Sequence, residues 1–337
     1  MQLRQLKKYI VSEKYPVTLK TAGALTIDNE FFLNSIGFTT IQLGVFSKKT
    51  IFAKLIRAAR VVKYAIGCPV NSIVVFHFPL RTTAFTVLQK LLKWKGCTTV
   101  AIIVDIDGWR DDDAALLQTE IKALSNFNYI IAHNKAMCFR LQQHINKLPI
   151  FSIELFDYAA IGKPSAHQFS NTICIAANFK KATFVNKLIS IDQLQFNVYG
   201  SQIDTNFLKL QRNVNVKGSF NHIDLVEQLE GSFGLVWDGD CIDICSAYYQ
   251  INNPHKLSLY IAAGMPIIVW SKSPFAEIVL QQGLGFAVHS LYDIPTKLQA
   301  ITTNQYKDML GNIENYRLKV INGYYLKNVI SIILEHK

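Results

Sequence analysis

Asn252-Asn253-Pro254-His255-Lys256 lies between an acidic loop and an apolar run with helical spacing. Asn253 suits a helix N-cap, and Pro254 suits the first helical position, where no N–H is needed. The run continues through Leu257, Leu259, Tyr260 and Ala262; Gly264 fits the left-handed position past the end, and Pro266 blocks continuation. Ile267-Ile268-Val269 then reads as a buried strand. A helix start presents N–H groups and partial positive charge, which suit a phosphate. Lys256 adds a full charge in the first turn, where the helix dipole opposes it. The plain alternative is a cap and nothing more; the misplaced lysine favours an anionic ligand.

A second constellation is Asp105-Ile106-Asp107-Gly108-Trp109-Arg110, directly after the apolar stretch Val100 to Val104. In open parallel sheets, chemistry gathers at the carboxyl ends of strands. Asp105 or Asp107 could take a hydroxyl proton from within about 3 Å, with Arg110 orienting the carboxylate. Asp111, Asp112 and Asp113 precede an apolar helix and read as capping and ion-pair residues.

The stretch Phe233 to Trp270 resembles the donor region of bacterial glycosyltransferases, the group of β-1,6-galactofuranosyltransferases and Gtf3-type glucosyltransferases. The resemblance is carried by Phe233, Gly234, Leu235, Trp237, Asp238 and Gly239, then Asn252 to Lys256, Ser258, Leu259 and Tyr260. Cys245-Ser246 matches a pair associated with the galactofuranosyltransferases. The resemblance implies an α/β chain with two Rossmann-like domains, the GT-B architecture, and a cleft between them. It implies transfer of a hexosyl unit, best a galactofuranosyl unit with inversion to a β-linkage, from a UDP-sugar to a saccharide or lipid-linked saccharide.

Residue by residue, the resemblance implies donor contacts from Asn252, Asn253, His255 and Lys256, with Asp238 on a sugar hydroxyl or bracing its loop. Asn178 and Lys181 follow the first strand of the second domain, where Lys181 would meet the diphosphate. Tyr199, at the next strand end, would stack on uracil. Asp105, Asp107 and Arg110 match the relatives' catalytic segment, but Val104 stands where relatives have histidine. Gly23 is similar to a glycine loop near the acceptor. His77, in Val75-Phe76-His77-Phe78-Pro79, falls where relatives vary and reads first as a strand-end histidine; both are acceptor-side candidates. Two D-x-D patterns, Asp105 to Asp107 and Asp238 to Asp240, would suit a metal–diphosphate site. A helix start with its own lysine neutralises a diphosphate without one, so no essential metal or other cofactor is expected.

Two series of alternating elements must position these residues. The first has strands at Phe38 to Leu43, Ser72 to Phe78, Thr98 to Val104 and Tyr129 to Ala132. Its helices are a basic one at Ile51 to Tyr64, then Thr83 to Trp94, Ala114 to Leu124 and Lys135 to Ile145. The pattern breaks around Phe156 to Ser165, giving domains of residues 1–160 for the acceptor and 161–337 for the nucleotide-sugar. The last helix is free to pack back on the first domain. The second series has strands near Ile173, Phe196, Val214, Leu235 and Ile267, and ends in a helical region from about Tyr306 to Glu335.

Half of the 337 residues are hydrophobic and the net charge is +11. The longest apolar stretches are strand-sized, and the first residues lack an apolar signal core, so a cytoplasmic protein is expected. The six cysteines show no zinc-ligand spacing and read as reduced thiols. The helix from Ile51 places Ile51, Phe52, Leu55, Ile56 and Ala59 on one side and Lys54, Arg57, Arg60 and Lys63 on another. The basic side suits either solvent or anionic lipid headgroups. No nucleic-acid motif is visible, and the resemblance implies an oligomer. Two further readings stand beside the first: a UDP-glucose-dependent glucosyltransferase, and a non-catalytic nucleotide-sugar or saccharide-binding protein.

Overall fold

The computed structural model describes residues 6–14, 23–45, 50–160, 162, 164–202, 212–239 and 241–336. The chain forms two compact units: one runs to Glu154 and takes the chain back from Tyr325, and the other spans Leu155–Tyr324. Each is built on a six-stranded sheet in which all neighbours are parallel.

The first sheet contains β1 (Lys8–Lys14), β2 (Thr39–Val45), β3 (Ile73–Phe78), β4 (Thr98–Ile103), β5 (Tyr129–Ala132) and β6 (Ile150–Ser152), in the order β2-β1-β3-β4-β5-β6. The second contains β7 (Thr172–Asn178), β8 (Gln195–Ser201), β9 (Val214–Gly218), β10 (Phe233–Val236), β11 (Ile267–Trp270) and β12 (Gly285–Val288), in the order β12-β11-β10-β7-β8-β9. Sequences such as IVVFHF and IIVW are nearly continuous apolar runs, as strands covered on both faces require. Ile10, Val75, Val100 and Tyr129 share one row across the first sheet. Helices make the parallel crossovers, and Thr50, Asp113 and Asn134 cap three of them through their side chains. Strand order reverses between β1 and β3 in the first sheet and between β7 and β10 in the second. Such switch points open a crevice at the strands' carboxyl ends.

Three features depart from the sequence reading. Strand β1 lies where no element was read, and the helix Ala24–Asn34 starts at Gly23, which was read only as part of a glycine loop. Gly23 is that helix's N-cap, in the left-handed region at φ 81, while Ala22 lies outside the described residues. The helix hid because polar Asp28 and Asn29 are buried alongside Phe32 and Leu33, which blurs its periodicity.

The helix Ile51–Gly67 is also turned over. Arg57 is buried and bonds Glu13 at 2.9 Å, whereas Ile51, Phe52, Leu55, Val62 and Ile66 are exposed. Gly44 makes this arrangement: a Cβ there would lie 2.7 Å from Arg57 Nε.

Finally, the crossing to the second unit comes at Glu154–Leu155, because the next residues anchor in the second unit. Phe156 O accepts from Ser258 Oγ at 2.6 Å, and Tyr158 Oη donates to His222 O at 2.8 Å. The last helix, Tyr324–Glu335, docks on the first unit, where Tyr129 Oη donates to His336 O at 3.2 Å. No helix among the described residues is long and apolar enough to cross a membrane.

Candidate active site

The helix His255–Ala262 connects β10 to β11, so it starts at the carboxyl ends of the second sheet. Its start is one residue later than the caps suggested. Pro254 is the N-cap in extended backbone (φ −74, ψ 137), and Asn253 is a buried residue before it. Pro254 O accepts from Leu257 N at 3.0 Å, closing the first turn. At the other end Gly264 adopts φ 68. Met265 N bonds Tyr260 O and Gly264 N bonds Ile261 O, both at 2.9 Å, the paired bonds of a glycine-terminated helix.

Lys256 Nζ donates to the carbonyl of Trp237 and stands 6.0 Å from the Tyr249 ring centre. Burial lowers its pKa, and the nearby Asp238 carboxylate opposes that shift. The Trp237 carbonyl takes one of the ammonium's three donors. Asp238 lies just past the end of β10 and Asn178 ends β7, so the two flank the switch point. Asn178 is exposed. Its Oδ1 accepts from Lys180 N at 3.1 Å and its carbonyl from Lys181 N at 3.0 Å, a turn from which Lys181 projects into solvent. Asn252 is half-buried and donates its N–H to Tyr248 O at 3.1 Å. Asp240 lies outside the described residues.

The matched motif also builds shape. A Cβ on Gly234 would lie 2.2 Å from the Tyr260 ring, and Tyr260 Oη accepts from Ala176 N at 2.8 Å. That ring therefore ties the lysine-bearing helix to β10 and β7. Trp237 Nε1 donates to Cys241 O at 2.9 Å, and Gly239 turns the loop at φ 104. Cys245 is a buried thiol, pushed up to about 12 by burial; all six cysteines are free. His255 is held at the helix start by the 155–158 segment. Its Nε2 lies 3.3 Å from Asp157 O, and its ring stacks on Tyr158 at 5.0 Å.

Tyr199 must be reassigned. It is 2% exposed, its hydroxyl accepts from Glu230 N at 3.0 Å, and its ring leans on Phe220. Alternation along β8 points this side chain into the core, so no ring face is open to a base.

In the first unit, Asp105 follows β4 and Asp107 opens the short helix Asp107–Arg110. One guanidinium gathers the acids: Arg110 bonds Asp105, Asp107 at 2.8 Å and Asp111 at 2.8 Å. These partners, Asp111 foremost, raise the Arg110 pKa, so it is always charged. Arg81 bonds the other oxygen of Asp107 at 2.6 Å. From below, the buried Glu120 accepts from the N–H groups of Asp107 at 3.1 Å and Gly108 at 2.8 Å. Burial raises the Glu120 pKa. Asp113 caps the next helix by accepting from Leu116 N at 2.9 Å.

His77 lies near the end of β3, beside the β1/β3 switch, and lines a small cavity with Ser12, Glu13, Thr26, Pro79 and Arg81. Its Nε2 is shielded and has no hydrogen-bond partner among the described residues. Burial pushes its pKa down to about 4, so the ring is neutral at pH 7. Thr26 Oγ1 donates to Gly23 O at 2.7 Å, fixing the glycine beside this cavity.

Sequence reasoning missed Arg81, Glu120 and the Glu13–Arg57 pair. Arg81 had a signal, since it follows the end of β3 two residues past Pro79. Glu120 and Glu13 had none, because their partners are backbone amides and a residue 44 positions away.

Two all-parallel Rossmann-type sheets, each the base of its own compact unit, make up the GT-B fold. The chain belongs to the glucosyltransferase 3-like family: the N-terminal domain of that family matches residues 7–155 and its C-terminal domain residues 173–333. It is thereby a hexosyltransferase. The chain is 24% identical over 340 residues to the beta-1,6-galactofuranosyltransferase WbbI of Escherichia coli K12, covering 90% of this chain and 98% of that one. It is 33% identical over 124 residues to glucosyltransferase 3 of Streptococcus gordonii, 36% of each. Among solved structures, a trehalose-6-phosphate structure from E. coli bound with UDP-2-fluoro glucose superposes with a TM-score of 0.60. It shares 8% identity and covers 96% of this chain and 98% of that one.

Proposed function

We propose that this enzyme transfers a galactofuranosyl unit from UDP-galactofuranose, with inversion to a β-linkage, onto a saccharide or lipid-linked saccharide during surface-polysaccharide synthesis on the cytoplasmic side. The observation that carries the donor assignment is Lys256, half-buried at a helix start next to the β7/β10 switch, with its ammonium on the Trp237 carbonyl. A half-buried cation pairs with a diphosphate at a reduced desolvation cost. The name of the E. coli relative supports the sugar, and the UDP-sugar in the superposed structure supports the nucleotide.

In this reading Lys256 and the first-turn amides take the charge that builds on UDP as the bond from the sugar's anomeric carbon to phosphate breaks. Asn178, Lys181, Asn252, Asn253 and His255 line the donor site, and Asp238 orients Lys256 or a sugar hydroxyl. Asp105 is the base, accepting the acceptor's hydroxyl proton as that oxygen bonds the anomeric carbon. Asp107 has an arginine on each oxygen, so neither oxygen is open to the acceptor's hydroxyl. The same arginines occupy the Asp105 to Asp107 carboxylates, so the reaction proceeds without an essential divalent metal there. His77 and Gly23 belong to the acceptor side.

A second reading, UDP-glucose as donor, is favoured by the glucosyltransferase 3-like domains matching both halves. The deciding experiment is thermal unfolding with UDP, GDP, UDP-glucose, UDP-galactose and UDP-galactofuranose, each with and without EDTA, followed by transfer assays with the best donor. A ligand at 100 times its Kd adds about 2.7 kcal/mol of stability. Stabilisation by UDP compounds in EDTA supports the proposal. Binding without transfer or donor hydrolysis leaves a nucleotide-sugar-binding protein, and no response to any nucleotide overturns the donor site.

A further inference from the structure

The first unit turns a broad apolar face to solvent. On the helix Ile51–Gly67, Ile51, Phe52, Leu55, Val62 and Ile66 are between 57% and 78% exposed. At 100° per residue they fall in a single stripe, with Lys54 along one border and Lys63 along the other, both exposed. The helix Thr83–Trp94 packs beside it and continues the surface through Val87, Leu91 and Trp94, the last 88% exposed. Lys95 Nζ bonds the carbonyls of Ala65 at 2.9 Å and Ile66 at 2.6 Å, so the two helix ends are pinned side by side. This is the reverse of a core-facing amphipathic helix: the apolar stripe faces out while Arg57 is buried against Glu13.

Charge selects what covers the face. From Phe31 through Val104 the sequence has no Asp or Glu and ten Lys and Arg. An apolar stripe bordered by lysines, with a tryptophan at its edge, matches the boundary between lipid headgroups and acyl chains. A second copy laid face to face would set lysine against lysine with no acid from this segment to answer it. We propose that the helices Ile51–Gly67 and Thr83–Trp94 form a docking surface for an anionic lipid bilayer, lying in its plane with the stripe submerged and Lys54 and Lys63 at the headgroups. This inference is independent of the donor-site assignment.

The test is co-sedimentation of the full chain with phosphatidylcholine vesicles, with and without phosphatidylglycerol, over a salt series. Of the four tryptophans, Trp109, Trp237 and Trp270 are buried, so a blue shift of the emission on adding vesicles reports Trp94 entering lipid. Binding to the anionic vesicles, its release by salt and that blue shift are the expected results. Lys54→Ala with Lys63→Ala should weaken vesicle affinity roughly 25-fold, at about fivefold per lysine. Leu55→Glu should abolish binding, and Trp94→Ala should remove the shift. All these side chains are exposed, and unchanged unfolding temperature and UDP response confirm intact variants. No binding to anionic vesicles, or equal binding to neutral ones at all salt concentrations, overturns the proposal. A concentration-dependent oligomer that Leu55→Glu dissociates, without vesicle binding, assigns the face to a second copy instead.

Discussion

Lys256→Met separates a lysine that holds the fold from one that holds the donor. In the free protein Lys256 is half-buried, and its ammonium donates to the Trp237 carbonyl near Asp238. Removing the ammonium removes its desolvation cost but leaves the Trp237 carbonyl without that donor. Asp238 is only half-buried and recovers water. The unfolding free energy without ligand should therefore fall by about 1 kcal/mol, the lower end of the cost of one unmet carbonyl. The donor responds differently. Opposite unit charges about 4 Å apart attract by about 4 kcal/mol at an effective dielectric near 20. Sharing the ammonium with Trp237 and Asp238 leaves roughly 2–4 kcal/mol for the diphosphate, a loss of roughly 30- to 1,000-fold in UDP affinity in the variant. The two quantities are read from one preparation, by thermal unfolding without ligand and by calorimetric titration with UDP. A loss of stability as large as the loss of affinity would make Lys256 a structural pin of the loop at 237–239. A change in UDP affinity below about threefold would remove the diphosphate from this helix start. The pH dependence has a fixed sign: as pH rises through the lowered pKa of Lys256, UDP binding weakens in the natural protein and stays flat in Lys256→Met.

Asp105→Asn should lower transfer by roughly 10²- to 10⁴-fold with UDP titration unchanged, whereas Asp107→Asn should cost less; the reverse order would assign the base to Asp107. His77, neutral when folded, takes up a proton on unfolding below pH 6.5, so its contribution to stability is lost as pH falls from about 6.5 to about 4. The natural protein should lose as much as roughly 3 kcal/mol more over this range than His77→Phe, measured by denaturant unfolding at each pH. Gly234→Ala should cost about 1–3 kcal/mol or more by driving a methyl into Tyr260, and an unchanged unfolding temperature would refute that contact.

The elements were legible where one physical signal dominated. Thr83–Trp94, Ala114–Leu124 and Tyr129–Ala132 have the same bounds in the sequence reading and in the structure. Their apolar periodicity is clean, and turn residues or caps flank them. The helix Ala24–Asn34 was lost because burial of Asp28 and Asn29 broke its pattern. Strand β1 was lost because KYIVSEK looks half-polar, although Ser12 and Glu13 are buried and Glu13 meets a guanidinium from a distant helix. The helix from Ile51 shows a further limit. Its periodicity identified an apolar stripe correctly, but periodicity carries no information on whether that stripe faces a core or a partner outside the chain.

Local chemistry and long-range partnership divide the candidate site in the same way. Lys256 could be found from Asn252 to Gly264 alone, since a cation in the wrong turn of a helix is a local anomaly. Tyr199 could not be judged locally, because the amide that occupies its hydroxyl belongs to Glu230. The acidic segment combines both cases. Two carboxylates after an apolar strand are visible in sequence, but Arg81, which engages the second oxygen of Asp107, arrives from the neighbouring strand's end. Because β3 and β4 run in register from Ile73↔Thr98 to Phe78↔Ile103, the residues just past their ends share one rim. Arg81 and Asp107 thus meet through strand pairing, so how tightly Asp107 is held is a property of the sheet. A one-residue slip between β3 and β4 would undo it, leaving each carboxylate's own sequence unchanged.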